Sequence, residues 1–137
     1  MQYEIVSKAY PVVVCHLGPG EQMKTERGSM VWMDSWIDMA TKTGDIGGVF
    51  ERVLTGESIF QNVYTATRPG KVAFGSSFPG RIVPIAIAPG REFIVQKMGF
   101  LASEMGVELS MHVNQRIGGG FFGGEGFIMQ RLSGCGT

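Results

Sequence analysis

Four of the six prolines in this chain are followed directly by glycine: Pro19-Gly20, Pro69-Gly70, Pro79-Gly80 and Pro89-Gly90. Proline fixes the first central dihedral of a tight turn, and glycine accepts the positive φ of the second, so each pair marks a reversal of chain direction. Three of the pairs recur at positions 69, 79 and 89. That spacing leaves room for one short strand and one turn each time, which predicts a meander through the middle of the chain and an all-β sandwich or barrel.

The segments between the turns agree. Val12 to Leu17 and Ile82 to Ile87 are β-branched runs too short for helices and are expected to be buried strands, with Pro84 placing the second at an edge or a bulge. Val107, Leu109, Met111 and Val113 alternate with Glu108, Ser110, His112 and Asn114, so one face of that strand is core and the other is wet. Ser58 to Thr67 and Gly126 to Leu132 are expected to be strands with mixed faces. Met30 to Met39 has Trp32 and Trp36 at helical spacing, but no cap defines a helix and strand is preferred. No long helix is expected.

With 137 residues, 44% apolar and 18% charged, the chain is expected to be one domain over 1–137 with a core that needs no disulfide or metal. Twelve basic residues offset twelve acidic ones, so no net field draws it to DNA or to anionic lipid. The longest apolar run, Ile82 to Pro89, falls far short of the ~20 residues of a membrane-spanning helix, so no membrane span is expected. The N-terminus has no secretory pattern, and two cysteines, Cys15 and Cys135, suit a reducing compartment; the expectation is a cytoplasmic protein.

Motifs for chemistry are weak. Gly118 to Gly126 contains G-x-G-x-x-G, but a strand rather than a helix follows, so the stretch is better read as a hairpin loop carrying Phe121 and Phe122. These two aromatics either tuck over an open sandwich end or are donated to a partner. Gly75 to Arg81 has phosphate-loop glycine spacing without the lysine or the magnesium-binding hydroxyl and is a turn. Cys15, His16, His112 and Cys135 make a poor zinc set, because neighbours on a strand point to opposite faces. Cys15 is read as core and His112 as a solvated side chain. No His-x-His pair, G-x-S-x-G or assignable triad occurs, so the chain is expected to be no enzyme, with no cofactor and no metal. Most of the nine methionines are expected to fill core gaps, although an exposed Met and Trp patch would suit a subunit interface.

The order of several segments is more informative than any one residue: Met30-Val31-Trp32-Met33-Asp34, Leu54-Thr55-Gly56-Glu57-Ser58-Ile59-Phe60, Phe78-Pro79-Gly80-Arg81-Ile82, Gly124-Glu125-Gly126-Phe127 and Leu132-Ser133-Gly134-Cys135-Gly136. The series resembles the mitochondrial-biogenesis family, long treated as a domain of unknown function, whose β-sandwich fold is shared with the tryptophan-dependent RNA-binding attenuation proteins. The resemblance implies a pseudo-duplicated sandwich that assembles into a homo-oligomer, a trimer, with no established enzyme activity. It also implies a longer domain, with further strands after the Leu-x-Gly-x-Gly segment, so this chain reads as most of a family domain truncated at its C-terminus. The mitochondrial role of eukaryotic relatives is not expected to carry over, because the chain shows no transit peptide rich in arginine and serine. No catalytic residue is transferred. The binding or interface candidates are Trp32, Met33, Asp34, Glu57, Phe60, Phe121 and Phe122, and Glu57 is also explained by hydrogen bonds to backbone amides at a turn.

Two functions are consistent with these residues. The first is a self-associating scaffold joined through apolar segments at Trp32, Met33, Phe121 and Phe122. The second is a module for a small ligand or single-stranded RNA, for which Arg68, Lys71, Arg81, Arg91 and Lys97 would have to line up across the Pro-Gly segment.

Overall fold

A computed structural model describes residues 1–6, 10–26, 28–43, 60–96, 98–113 and 128–137, with the side chains of 43, 60, 113 and 128 excepted. Within them the fold is all-β, with no helix. The strands are β1 (Gln2–Val6), β2 (Val12–Leu17), β3 (Gln22–Glu26), β4 (Met30–Met33), β5 (Ile37–Thr43), β6 (Phe60–Ala66), β7 (Gly70–Gly75), β8 (Phe93–Gln96), β9 (Ala102–Glu104), β10 (Val107–Val113) and β11 (Ile128–Gly134). They form three antiparallel sheets ordered β1-β2-β7-β4, β5-β6-β3-β9 and β10-β11-β8.

The first two sheets face one another. Val13, Cys15 and Leu17 of β2 and Val72 and Phe74 of β7 meet Met23 of β3, Ile37 of β5, and Tyr64 and Ala66 of β6 in one apolar core. Period-two alternation puts these residues on the inner faces of their strands. Tyr64 and Phe74 stack edge to face with ring centroids 5.2 Å apart. A second core gathers Ile87, Phe100, Val107 and Leu132, flanked by Ile85, Phe93, Val95 and Leu109, on the inner face of the third sheet. The third sheet is tied to the second by Gln130 of β11, whose side-chain amide donates to the Glu26 carboxylate, and the buried Lys24 ammonium of β3 donates to the Met105 carbonyl in the turn between β9 and β10 at 3.3 Å.

The expected strands at 12–17 and 107–113 form as read, and of those expected at 58–67 and 126–132 the described residues form β6 (Phe60–Ala66) and β11 (Ile128–Gly134), while 58–59 and 126–127 lie outside the described residues. Met30 to Met39 is strand, but divided: a turn at Ser35-Trp36 separates β4 from β5 and places them in different sheets. The expected strand from Ile82 to Ile87 does not form; only Ile87 bridges, exchanging backbone bonds of 2.8 and 3.0 Å with Gly136. Pro84 has no N–H to give a ladder, and the exposed Val83 and Ala86 alternate with inward Ile82, Ile85 and Ile87 only irregularly. The run is apolar because it covers a cavity and the second core, not because it is a sheet strand.

The Pro-Gly meander also fails as a reading of topology. Gly20 and Gly90 do take positive φ, 79° and 80°, as turn glycines should. Gly70 instead begins β7, where a Cβ would stand 2.5 Å from Nε1 of Trp36, so glycine is required there for close approach rather than for turning. The Pro69-Gly70 segment carries the chain from the second sheet across to the first, so β6 and β7, neighbours in sequence, do not pair.

Candidate functional site

Two features distinguish the surface from the packed interior: the open margins of the first sheet and a cavity at the seam between the two cores. At one margin β1 pairs with β2 in register from Gln2↔His16 to Val6↔Val12 and has no partner on its other side among the described residues. All five residues are exposed, including Tyr3 at 41%, Ile5 at 43% and Val6 at 50%. Glu4 is the single charge on the strand, and its carboxylate lies 3.3 Å from Nε2 of His16. At the other margin β4 pairs with β7 through a bulge between Met30 and Trp32, and exposes Val31 and Trp32. A sheet margin offers unpaired N–H and C=O groups, and proteins ordinarily blunt it with charge, proline or bulges. Here β4 carries the bulge, while β1 is blunted by one glutamate.

The candidates named from sequence divide accordingly. Trp32 stands exposed on β4 opposite Ala73, and Met33, opposite Val72, is half-buried against the first core. Asp34 sits just after β4, where its carboxylate accepts the Lys71 backbone N–H at 2.8 Å and its carbonyl accepts the Ile37 N–H at 3.0 Å, so it shapes the β4–β5 turn. The structure thus brings Trp32, Met33 and Asp34 together at one corner of the first sheet. Phe60 opens β6 opposite Thr43, which fixes its backbone. Glu57, Phe121 and Phe122 lie outside the described residues.

Other expectations resolve individually. Trp36 is structural: its indole N–H donates to the Pro69 carbonyl at 3.0 Å and the Arg68 guanidinium lies 4.1 Å over its ring. Arg91 lies 5.0 Å over Phe93, so two of the five cations proposed to meet RNA stack on aromatics of their own chain. Met23 is core and Met39 is exposed. His112 is not free in solvent, since Arg131 approaches its Nδ1 at 3.1 Å. Cys15 is core, 1% exposed, and burial, reinforced by the charge of Glu104, pushes its thiol up to about 11. Among the described residues no three His, Cys, Asp or Glu side chains cluster to hold a metal, and no helix is long and apolar enough to cross a membrane.

The cavity escaped sequence reasoning. Its volume is about 150 Å³, and it lies where Val13, Cys15 and Met23 of the first core approach Phe100, Val107 and Leu132 of the second. By register Tyr3 and Ile5 share the face of Cys15 and Val13; they line the cavity yet stay exposed, and with Val83 they form its mouth. No lining side chain is charged. Ser103 of β9 lines it too: the residue is 2% exposed and its hydroxyl has no hydrogen-bond partner among the described residues. The one sequence signal was the apolar run from Ile82 to Ile87, which was assigned to a strand.

Comparison with known proteins gives a consistent placing. An uncharacterised protein of Streptococcus pyogenes serotype M6 is 28% identical over 141 aligned residues, covering 96% of this chain and 56% of the relative. The crystal structure of a Streptococcus pyogenes protein superposes with a TM-score of 0.74 at 24% identity, covering 98% of this chain and 61% of that one. The chain therefore spans little more than half the length of these relatives, and the second likeness establishes the shared all-β fold. The model of the family described as Mitochondrial biogenesis AIM24 matches residues 3–137, and the chain belongs to that family.

Proposed function

We propose that this chain is a non-catalytic β-sandwich protein that assembles with copies of itself by joining β1 of one copy to β4 of the next. The observation that carries the reading is β1: a five-residue outer strand, exposed throughout, with three apolar side chains and one charge. Its free backbone groups and apolar side chains are both satisfied when another strand is added. The two margins of the sheet are different strands, so their union is head-to-tail, and head-to-tail contacts generate a ring when the rotation closes. A trimer is the ring size that the family resemblance favours. The histidines lend no support to a hydrolytic alternative, since among the described residues His16 bonds Glu4 and His112 bonds Arg131 and no serine or cysteine is bonded to either ring.

Native mass spectrometry and light scattering on the chain as it stands test the proposal. Wild type should be a closed oligomer, and a monomer at tens of micromolar would refute it. Ile5→Lys blocks one margin and Trp32→Lys the other, so each variant alone should be monomeric while an equimolar mixture forms a one-to-one pair through the two intact margins. A Trp32→Lys protein that still dimerises by itself would replace the head-to-tail arrangement with a symmetric β1–β1 contact.

A further inference from the structure

We infer that the cavity at the seam between the two cores is a binding site for a small, neutral, ring-sized molecule carrying one hydrogen-bonding group. Three observations converge. The first is size: about 150 Å³ is the scale of an apolar protein cavity that takes up a molecule such as benzene. The second is chemistry. The walls include Val13, Met23, Phe100, Val107 and Leu132, and no lining side chain carries a charge. The termini Met1 and Thr137 also line the cavity, but the Met1 ammonium is paired with the Glu104 carboxylate at 3.7 Å and the Thr137 backbone is bonded to Glu104, so the charges near it are engaged within the chain and the apolar walls suit a neutral ligand. The third is Ser103, a residue of the lining whose buried hydroxyl has no hydrogen-bond partner among the described residues. A buried hydroxyl left unpaired is costly, and native proteins pair nearly all of them. A ligand that offers one donor or acceptor relieves that cost, whereas a pure hydrocarbon does not.

Cys15 fits the same class. Its thiol lines the cavity, and burial keeps it neutral at ordinary pH, so it contributes polarizable surface rather than charge. Access is provided by the mouth at Tyr3, Ile5 and Val83, of which Val83 is 70% exposed.

Phenol and benzene, which differ by one hydroxyl, are suitable probes. Each is titrated into the full chain while methyl and aromatic NMR signals of Val107, Leu132 and Phe100 are followed, with thermal melting in parallel. Both should produce saturable shifts confined to the cavity and should raise the melting temperature. The Ser103→Ala variant should bind benzene as wild type does and lose its relative preference for phenol by a factor on the order of five, the value of one neutral hydrogen bond. Absence of saturable shifts with both probes would overturn the site. An unchanged phenol-to-benzene ratio in Ser103→Ala would overturn the polar half of the inference. Should Ser103→Ala fail to fold, Val83→Trp, an exposed change at the mouth, replaces it: it should slow or abolish entry of both probes, and unaltered binding would refute the route. Val83 shares the mouth with Tyr3 and Ile5 of β1, so the oligomeric state of Val83→Trp is measured alongside its binding, whereas Ser103→Ala lies away from both margins and reports on the cavity separately from the assembly.

Discussion

Alkaline pH should destabilise this fold through one residue. The Cys15 thiol is held neutral in the first core, with its pKa moved from 9.0 to about 11. A folded pKa above the unfolded one means that the stability is present in full below the unfolded value, is lost as pH rises from about 9, and is gone once the folded thiol also ionises above about 11. Two units correspond to about 3 kcal/mol in all. Between about pH 7.5 and pH 10.5 linkage removes about 2 kcal/mol of it. The assay is urea unfolding at those two pH values for wild type and for Cys15→Val, a substitution of similar volume in a strand position already lined by free space. Every other titratable group is common to both proteins, so the difference between the two pH-induced losses isolates Cys15. The wild type should lose about 2 kcal/mol more than the variant. Equal losses would refute the reasoning that desolvation of this thiol is a large term. A thiol reagent gives an independent check: Cys135, which is exposed, should react in the native state, and Cys15 only as fast as the protein opens.

Phe74→Ala removes a fully buried ring from the centre of the same core and should cost about 3–5 kcal/mol in denaturant unfolding; with Tyr64→Leu in a double-mutant cycle, about 0.5–1.5 kcal/mol should prove to be shared between the two rings. Gly70→Ala places a methyl against the Trp36 indole, so it should break the Trp36–Pro69 hydrogen bond, cost about 1–3 kcal/mol and shift the tryptophan emission; unchanged emission and stability would show that the indole moves aside freely.

The sequence pattern carried the fold class and most strands, because alternation and β-branching report which face of a strand is covered. Val107 and Glu108 are a clear case, one 1% exposed and the other open to solvent. It failed where the same residues served another purpose. Ile82 to Ile87 is apolar like a buried strand, yet its inward side chains line a cavity and a core without a ladder. Turn chemistry located reversals at Gly20 and Gly90 but did not tell hairpins from crossings between sheets, since a Pro-Gly pair fixes local dihedrals and not the strand beyond. The site was less legible still. Trp32, Met33 and Asp34 were named and do share a corner, but Tyr3 and Ile5 lie outside every motif, because an open margin is a property of the finished sheet. Ser103 and Gln130 show nothing in sequence; only burial makes their polar atoms noteworthy.

The placing of consecutive strands in different sheets has a consequence during synthesis. When the first thirty-odd residues have left the ribosome, β1 and β2 can form a hairpin, but Cys15 must wait for Val72, and Met23 for Tyr64 and Glu104. Pairings so distant along the chain close only after long loops are ordered, which makes them late. For most of its translation the nascent chain therefore presents β2 and β3 without their partners, their apolar faces open to any neighbouring polypeptide. A holding chaperone would find its longest-lived target in residues 12–26, and ribosome-bound fragments ending before β6 should be its best clients.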